Sequence, residues 1–416
     1  MNQDNVPVTG QDKTEVPPAN LTPPSNDAAP SGDTPSLPEK PIKNRQVLRS
    51  IIYIFALVII IAGSVGAYYW FRNQTAPSQK PTVKVGVLMA FTGGSSSMGY
   101  GTMKGIQLAK KQLGANNIEL IQADSKCTPN EARSAAKRLI EQGVVAIIGD
   151  GCSSASVAVL PEANNSKTVM VSPSASSTAL SIPNDYFFRV IPSDNYQGEF
   201  MAQAIRDKGI NNAAVLYTNE PYGTNMSRVF QEKFENLGGK VVATAFAEPD
   251  VIDLTTQMQK IKDSNPEAIF IAPNSVVTAT AAITVARAVG ITAPLFGGDI
   301  MYDKTIINNA SAPAEGLTVS TFSTGSNVFK QMLLNEYKVD EQLYAAPQAY
   351  DAFEAIYRTV EKGASTGEEI KDTLPSISFD GMSAHISFDQ NGEEPGKDYV
   401  YDLLQVQKGA FVKVDQ

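Results

Sequence analysis

The 416-residue sequence predicts an α/β protein of two lobes that follows a disordered tail and a single membrane-spanning helix. Three observations lead to this prediction: a polar, proline-rich beginning, one long uncharged apolar run, and short β-branched runs that alternate with helical patterns. Strands that alternate with helices indicate parallel sheets covered by helices on both faces. The alternating series starts a second time in mid-chain, which indicates a second lobe.

The beginning of the chain has the composition of a disordered segment. Residues 1–42 contain nine prolines and many Ser, Thr, Asn and Asp residues. Such a segment cannot bury enough apolar surface to offset the entropy that it would lose on ordering. We therefore expect residues 1–50 to form a disordered tail.

An uncharged apolar run, Ile51 to Phe71, follows the tail. At about 1.5 Å rise per residue, a helix of this length spans roughly 30 Å, the thickness of the hydrocarbon core of a bilayer. A cleavable signal peptide is the alternative, but the run is long for one and no small-x-small cleavage site follows it. We predict a retained transmembrane helix over residues 51–71 and a linker over residues 72–82.

Basic residues around the apolar run predict the orientation of the helix. Those before the run outnumber those after it: Lys40, Lys43, Arg45 and Arg49 against Arg72 and Lys80. Basic residues favour the cytoplasmic side of a membrane. We therefore expect a single-pass protein of the cell membrane, with a cytoplasmic N-terminus and an extracytoplasmic part from Val83 to Gln416.

The charge of the exported part argues against two classes of partner. The first 82 residues hold seven of the 34 Lys and Arg residues and six of the 43 Asp and Glu residues, so 27 basic and 37 acidic residues remain. Such an excess of negative charge argues against binding to nucleic acid and to anionic lipid surfaces.

Predicted strands and helices alternate along the exported part. The strand runs are VKVGVLMAF, IELIQAD, VVAIIG, TVMVSP, FFRVI, AAVLYT, VVATAFA, AIFIAP, PLFGGD and GLTVSTF, followed by a strand-rich end. One helix start is well marked, because Thr128 can act as the N-cap, Pro129 as the first helical residue and Glu131 as the partner in a capping box.

Polar residues after strands are candidate binding residues, since ligands of open α/β sheets lie beyond the carboxyl ends of the strands. Serines at helix starts in GDGCSS (149–154) and SPSASS (172–177) could bind an anion through hydroxyl and amide groups. Asp299, after the strand PLFGG, could bind an ammonium group. The alternative role of all these residues is to cap the helices that follow.

The sequence shows no recognisable catalytic motif. It lacks a nucleophile elbow, an H-E-x-x-H motif, a Walker loop and a G-x-G-x-x-G motif. The single histidine, His385, lies in a late strand pattern, where we expect a half-buried structural residue rather than a general base. We therefore predict no catalytic residue, no metal site and no cofactor.

The two cysteines follow consecutive predicted strands. Cys127 comes after the second strand and Cys152 after the third, and neighbouring parallel strands would bring these positions close together. A disulfide would persist in an exported domain. Two buried free thiols are the alternative, and a metal site is a poorer one because only one distant histidine is present.

Several segments together resemble one protein family. These are VKVGVLMAFTGG with GYGTMKGIQLA, PYGTNMSRVFQEKFENLGGKVV, AAPQAYDAFEAI, and GCSS followed by SPSAS. They are similar to segments of the type I periplasmic solute-binding proteins, in the leucine/isoleucine/valine-binding family of ABC importers. The resemblance covers residues 83–416.

The resemblance implies two Rossmann-like lobes joined by a three-crossover hinge. The crossovers would fall near residues 192–196, 321–324 and 400–404. The first lobe would comprise residues 83–194 and 323–402, and the second lobe residues 195–322 and 403–416.

The resemblance also implies a ligand site and a disulfide. Ser153 would bind a ligand carboxylate, Ser174, Ala175 and Ser176 would hold an amino-acid head, Tyr222 would face the cleft, and Asp299 would bind the α-ammonium group. The disulfide of the family would join Cys127 and Cys152. The sequence departs from the family at Met98, where an aromatic residue often packs on the ligand, and at Ser275, where branched-chain binders have a tyrosine.

The function that the resemblance implies is capture of an amino acid, branched-chain-like or a related polar metabolite, and its delivery to the permease of an ABC importer. The predicted helix would anchor this binding protein in the membrane. A ligand-sensing subunit of a signalling complex is the alternative use of the same fold, and an amide or acyl hydrolase is a more distant one. Neither a cofactor nor a nucleic acid is expected as a partner.

Overall fold

The computed structural model describes residues 45–74, 81–338, 343–397 and 399–414. The chain divides into two compact units, residues 1–78 and residues 79–416. Most of the predicted disordered tail, residues 1–44, lies outside the described residues.

Helix α1, Arg45–Gln74, contains the predicted membrane span and extends beyond it at both ends. Its 30 residues reach about 45 Å at 1.5 Å per residue. By length and composition the stretch Gln46–Arg72 could cross a membrane. The helix is longer than the apolar run because the flanking Arg, Gln and Leu residues are also good helix formers.

The second unit begins with a parallel sheet. Its strands are β1 Val83–Met89, β2 Ile118–Asp124, β3 Ala146–Gly149, β4 Val169–Ser172 and β5 Phe187–Arg189. Their order in the sheet is β2-β1-β3-β4-β5, and every pair is parallel. All residues of β3, β4 and β5 are buried, as expected for a sheet covered on both faces.

A second sheet and a short hairpin contain the remaining strands. Their bounds are β6 Asn212–Thr218, β7 Lys240–Ala247, β8 Ala268–Ala272, β9 Leu295–Gly297, β10 Thr318–Thr321, β11 Phe379–Asp380, β12 His385–Ile386, β13 Asp402–Gln407 and β14 Ala410–Lys413. The second sheet has the order β14-β13-β10-β9-β8-β6-β7, with β13 and β14 antiparallel to their neighbours. Strands β11 and β12 pair only with each other.

Helices separate most of the strands of the second unit. They are α2 Ser96–Gln112, α3 Pro129–Glu141, α4 Ser153–Ser166, α5 Asp194–Asp207, α6 Pro221–Asn236, α7 Thr255–Asp263, α8 Val276–Ala288, α9 Lys304–Ala310, α10 Asn327–Tyr337, α11 Ala346–Glu361 and α12 Gly367–Thr373. Helices α2 and α11 pack closely against each other. Gly105 permits this contact, since a Cβ atom there would lie 2.0 Å from the carbonyl oxygen of Ala346.

The chain passes between the two sheets three times: after β5, after β10 and before β13. Each crossover contributes one residue to a small buried apolar cluster, composed of Ile191, Phe322 and Tyr401. Phe200 and Tyr399 pack against the same cluster. The predicted fold class, two α/β lobes joined by a three-crossover hinge, is therefore confirmed.

Two local predictions are wrong. Thr128 is the N-cap of α3, but its side chain makes no capping hydrogen bond. Glu131 pairs instead with the ammonium group of Lys126, 3.7 Å away, so the capping box does not form. His385 is exposed rather than half-buried, because β12 lies in the two-stranded hairpin and bonds only to β11.

We expect a shortened chain that begins at Lys80 to fold as a soluble monomer. The reason is that the second unit, residues 79–416, contains both sheets and all the strands described above. Its melting temperature should equal that of the full chain in detergent, and size-exclusion chromatography should give the monomer mass. Aggregation, or a melting temperature lower by about 5 °C or more, a shift worth at least about 1 kcal/mol, would show that the boundary is misplaced.

Candidate functional site

A small cavity lies between the two lobes, beyond the carboxyl ends of strands from both sheets, and we call it the cleft cavity. The first lobe contributes Met98, Cys127, Gly151, Cys152, Ser153, Ser154 and Ser174. The second lobe contributes Glu220, Tyr222, Asn274, Asp299 and Ile300, and Tyr344 comes from the segment before α11.

Hydrogen bonds between the lobes close the cleft around this cavity. The Ser97 hydroxyl donates to the Asp303 carboxylate over 2.5 Å. The Thr178 hydroxyl donates to the side-chain oxygen of Asn225 over 2.6 Å, and the Ser177 hydroxyl donates to the carbonyl of Pro221 over 3.1 Å. The two lobes therefore lie in direct contact on more than one side of the cavity.

Asp299 is the central polar residue of the second-lobe wall. Its side chain is buried, and the Tyr222 hydroxyl donates to its Oδ1 over 3.1 Å. The Tyr344 hydroxyl donates to Oδ2. Gly298 makes room for this arrangement, because a Cβ atom at that position would lie 2.4 Å from the Tyr222 hydroxyl oxygen.

A second carboxylate, Asp194, is buried near Asp299. Burial raises the pKa of Asp299 to about 6, against the lowering effect of the hydrogen bonds from Tyr344 and Tyr222. Burial also raises the pKa of Asp194 to about 7, and the negative charge of Asp299 adds to that rise. A cationic group of a ligand would favour the ionised form of Asp299, which, unlike Asp194, lines the cleft cavity.

The charge of Arg189 lowers the pKa of Asp194, but the hydrogen bonds of Arg189 go to other groups. Arg189 is fully buried and pairs with the carboxylate of Glu393. It also donates to the carbonyl oxygens of Ala175 and Ser177, over 3.1 and 2.9 Å. Arg189 thus fixes the serine loop after β4 and is absent from the lining of the cleft cavity.

The opposite wall of the cleft cavity is the N-terminus of α4. Cys152 is the N-cap, and Ser153 and Ser154 are the first helical residues. Amide groups in the first turn of a helix lack intrahelical partners and attract anions. The Ser153 hydroxyl oxygen accepts a hydrogen bond from the amide of Ser177 over 3.1 Å, which leaves its proton to donate to an anion.

The predicted disulfide between Cys127 and Cys152 is present, with the two Cα atoms 5.5 Å apart. The expectation that β2 and β3 are neighbours is wrong, since β1 lies between them. The cysteines still meet because each lies three residues beyond its strand, and the first loop folds over the end of β1. The amide of Ser125 donates there to the carbonyl of Met89 over 3.0 Å.

Five of the eight predicted ligand-binding residues line the cleft cavity: Met98, Ser153, Ser174, Tyr222 and Asp299. The other three, Ala175, Ser176 and Ser275, lie outside its lining. The Ala175 amide donates to the Ser172 hydroxyl over 2.9 Å, and the Ser275 hydroxyl caps α8 by accepting from the amide of Thr278. Their assigned contacts with a ligand stay predictions.

Sequence reasoning missed several residues of the cavity lining, among them Glu220, Asn274 and Tyr344. Glu220 lies in the loop after β6, two positions before the predicted Tyr222. Asn274 lies next to Ser275, one position from the predicted residue. Tyr344 precedes a helix and follows no strand, so the rule of strand ends does not point to it.

Comparison with known proteins identifies relatives over most of the chain. The family model described as "Periplasmic binding protein" matches residues 82–410. The leucine-, isoleucine-, valine-, threonine-, and alanine-binding protein of Pseudomonas aeruginosa is 24% identical over 343 residues, which cover 77% of this chain and 90% of that protein. The Leu/Ile/Val-binding protein of Escherichia coli K12 is 21% identical over 333 residues, with the same coverage of 77% and 90%.

Solved structures share the fold. The leucine binding protein LivK of Thermotoga maritima has a TM-score of 0.75 and 27% identity, and the match covers 80% of this chain and 98% of that chain. A solute-binding protein of an ABC transporter from R. palustris, in complex with benzoate, has a TM-score of 0.72 and 17% identity, with coverage of 80% and 95%. At that identity the second match shows the fold alone.

We expect Cys127→Ser to lower the melting temperature of the non-reduced protein. The bridge closes a loop of 25 residues, which contributes roughly 3 to 4 kcal/mol in the chain-entropy model. Ser154→Ala, in the first turn of α4 near Cys152, is the control and should change the melting temperature little. Thiol titration of the denatured, non-reduced parent should find no free cysteine, and two titratable thiols would contradict the bridge.

We expect Asp299→Asn to change how the stability of the ligand-free protein depends on pH. A carboxyl whose folded pKa is raised from 3.8 to about 6 loses its stabilising contribution as the pH rises through that window. Relative to the parent, the variant should therefore gain stability between about pH 4 and pH 6, by on the order of 2 kcal/mol. A smaller further gain should follow up to about pH 7, because loss of the Asp299 charge also lowers the pKa of Asp194.

The measurement is chemical denaturation of both proteins between pH 4 and pH 8. Asp263→Asn, which removes an exposed acid on α7, serves as the control and should leave the pH profile unchanged. Parallel profiles for Asp299→Asn and the parent would show that Asp299 is ionised as readily as an exposed acid.

Proposed function

Because the chain belongs to the periplasmic binding protein family, we propose that it is the substrate-binding subunit of an ABC importer and captures an α-amino acid between its lobes. One observation supports the ligand class above all. The cleft cavity has the N-terminus of α4 on one wall and the buried Asp299 carboxylate on the other. These two groups match the carboxylate and the ammonium group of an amino-acid zwitterion.

The carboxylate of the ligand would bind at the start of α4. The amide groups and the hydroxyls of Ser153 and Ser154 are the donors there. The disulfide ties Cys152, the N-cap of this helix, to the loop after β2. A site whose donors are already fixed loses less entropy when the ligand binds.

The ammonium group of the ligand would bind at Asp299. Two tyrosine hydroxyls donate hydrogen bonds to this carboxylate, and neither carries a positive charge. An ammonium group would supply the missing charge and favour the ionised form of Asp299. The ligand and the carboxylate would then form an ion pair shielded from water, which is strong when both partners are present.

The fold alone does not fix this ligand class. The R. palustris protein has the same fold and binds benzoate, which has a carboxylate and no ammonium group. A ligand of that kind would leave Asp299 without a cation in this chain. Asp299 is therefore the residue that makes an amine necessary in our proposal.

The membrane anchor is a further part of the proposal. Helix α1 would hold the protein in the cell membrane with its N-terminus in the cytoplasm, and the binding unit would lie outside. The disulfide supports an extracytoplasmic location, because such bonds persist in oxidising compartments. Permease subunits in the same membrane would receive the ligand.

We expect calorimetry of the full chain in detergent to detect binding of at least one α-amino acid from a panel of the twenty standard ones. Asp299→Asn should weaken that binding by a few hundred-fold or more, because it removes one partner of a buried ion pair. The affinity of the parent should also fall about tenfold per pH unit below about pH 6, where Asp299 becomes protonated.

Two controls separate loss of the ammonium contact from general damage. Asp263→Asn should bind as the parent does, and the corresponding deaminated acids, which lack the ammonium group, should not bind the parent. Binding that is unchanged in Asp299→Asn would contradict the proposed role of this carboxylate.

A further inference from the structure

Glu220 is an acid in the cleft cavity that the amino-acid head does not use. It is the N-cap of α6, and its carboxylate accepts from the amides of Tyr222 and Gly223 over 2.9 and 2.6 Å. The Thr218 hydroxyl donates to the same carboxylate over 3.2 Å. The simplest interpretation is that Glu220 only caps its helix, as acids at this position often do.

The hydrogen-bond capacity of Glu220 exceeds what the cap requires. An ionised carboxylate has about four acceptor positions, two on each oxygen. Oε1 accepts from Gly223 and Thr218, whereas Oε2 accepts from Tyr222 alone among the described residues. One acceptor position therefore remains on Oε2, and the residue lines the cavity.

Among the residues that the structure describes, the lining around Glu220 supplies no cation for an acidic side chain of a ligand. Asn274 adds a second polar side chain on the same lobe, and Asp299 adds a second carboxylate. None of the described residues that line the cavity is Lys, Arg or His. Once the head of the ligand lies between α4 and Asp299, Glu220 and Asn274 are polar groups left for its side chain.

We propose that Glu220 selects the side chain of the ligand, so that the site prefers an α-amino acid whose side chain carries a hydrogen-bond donor over a branched aliphatic one. This inference rests on the proposed function, since it assumes that the head of an α-amino acid binds at α4 and Asp299. It adds the class of side chain, which neither wall alone determines.

An aliphatic side chain would displace water from Glu220 without replacing the hydrogen bond. A site that accepts a hydrogen bond from a ligand strongly disfavours a ligand of the same shape that lacks the donor. This discrimination is much larger than that of an apolar pocket against a ligand with an added hydroxyl group. A carboxylate side chain would be repelled by Glu220 and Asp299 together. The expected order of affinity is therefore donor side chains first, aliphatic ones next and acidic ones last.

The experiment measures affinities of the full chain in detergent for two pairs of nearly equal shape: threonine with valine, and asparagine with leucine. In each pair that binds measurably, we expect the donor-bearing member to bind at least about tenfold more tightly, since a hydrogen bond to a charged group is worth roughly that factor or more. Glutamate should bind more weakly than either member.

Glu220→Gln tests the residue itself, and Glu220→Asp keeps the charge and the helix cap but withdraws the carboxylate by one methylene. In both variants the ratio of the affinity for the donor-bearing ligand to the affinity for the aliphatic ligand should fall by about fivefold or more. The reason is that the acceptor is neutral in Glu220→Gln and farther from the ligand in Glu220→Asp. Glu267→Gln is the matched control, because Glu267 also accepts two backbone amides, over 2.6 and 3.0 Å, but lies outside the cavity lining.

The outcomes distinguish failure of this inference from failure of the proposed function on which it rests. If no amino acid binds, the proposed function fails and the inference fails with it. If amino acids bind but valine and leucine equal or exceed their partners, the inference alone is overturned. A ratio that is the same in Glu220→Gln, Glu220→Asp and the parent also overturns it, because a purely structural cap would leave the ratio unchanged.

Discussion

The Asp299 carboxylate, buried between two tyrosine hydroxyls, is the constraint on which the site depends. Tyr222 comes from the second lobe, and Tyr344 comes from the segment that leads into α11 of the first lobe. A buried acid must find donors or remain neutral. The bond from Tyr344 therefore also joins the lobes, so that in our proposal ligand recognition and closure share one group.

Most of the fold could be predicted from the sequence, because buried parallel strands are continuous β-branched runs. The run VMVS of β4 and the run AIFIA of β8 are buried throughout, and no other local structure suits them as well. The predictions of local structure that proved wrong did so for local reasons. The first loop reaches across β1, so Cys127 and Cys152 meet without neighbouring strands, and the acid at Glu131 pairs with Lys126 rather than its own N-cap.

The rule of strand ends predicts part of the site, whereas Met98, within α2, was indicated by the family resemblance. Ser153, Tyr222 and Asp299 satisfy that rule, since each lies in or just after a loop at the carboxyl end of a strand. Tyr344 enters the cavity only because α11 packs on α2 and the lobes close, which are contacts between distant parts of the chain. Ser275 lies outside the lining because its hydroxyl caps α8, whereas the neighbouring Asn274 lies in the lining.

The contacts that join the lobes at the rim are hydroxyl groups bonded to polar oxygens, as in the pairs Ser97 with Asp303 and Thr178 with Asn225. Water can replace each of them at little net cost, because opening exchanges one hydrogen bond for another. Apolar packing across the rim would instead have to be exposed on opening. Opening of the cleft can therefore exchange these bonds for bonds to water without unfolding either lobe.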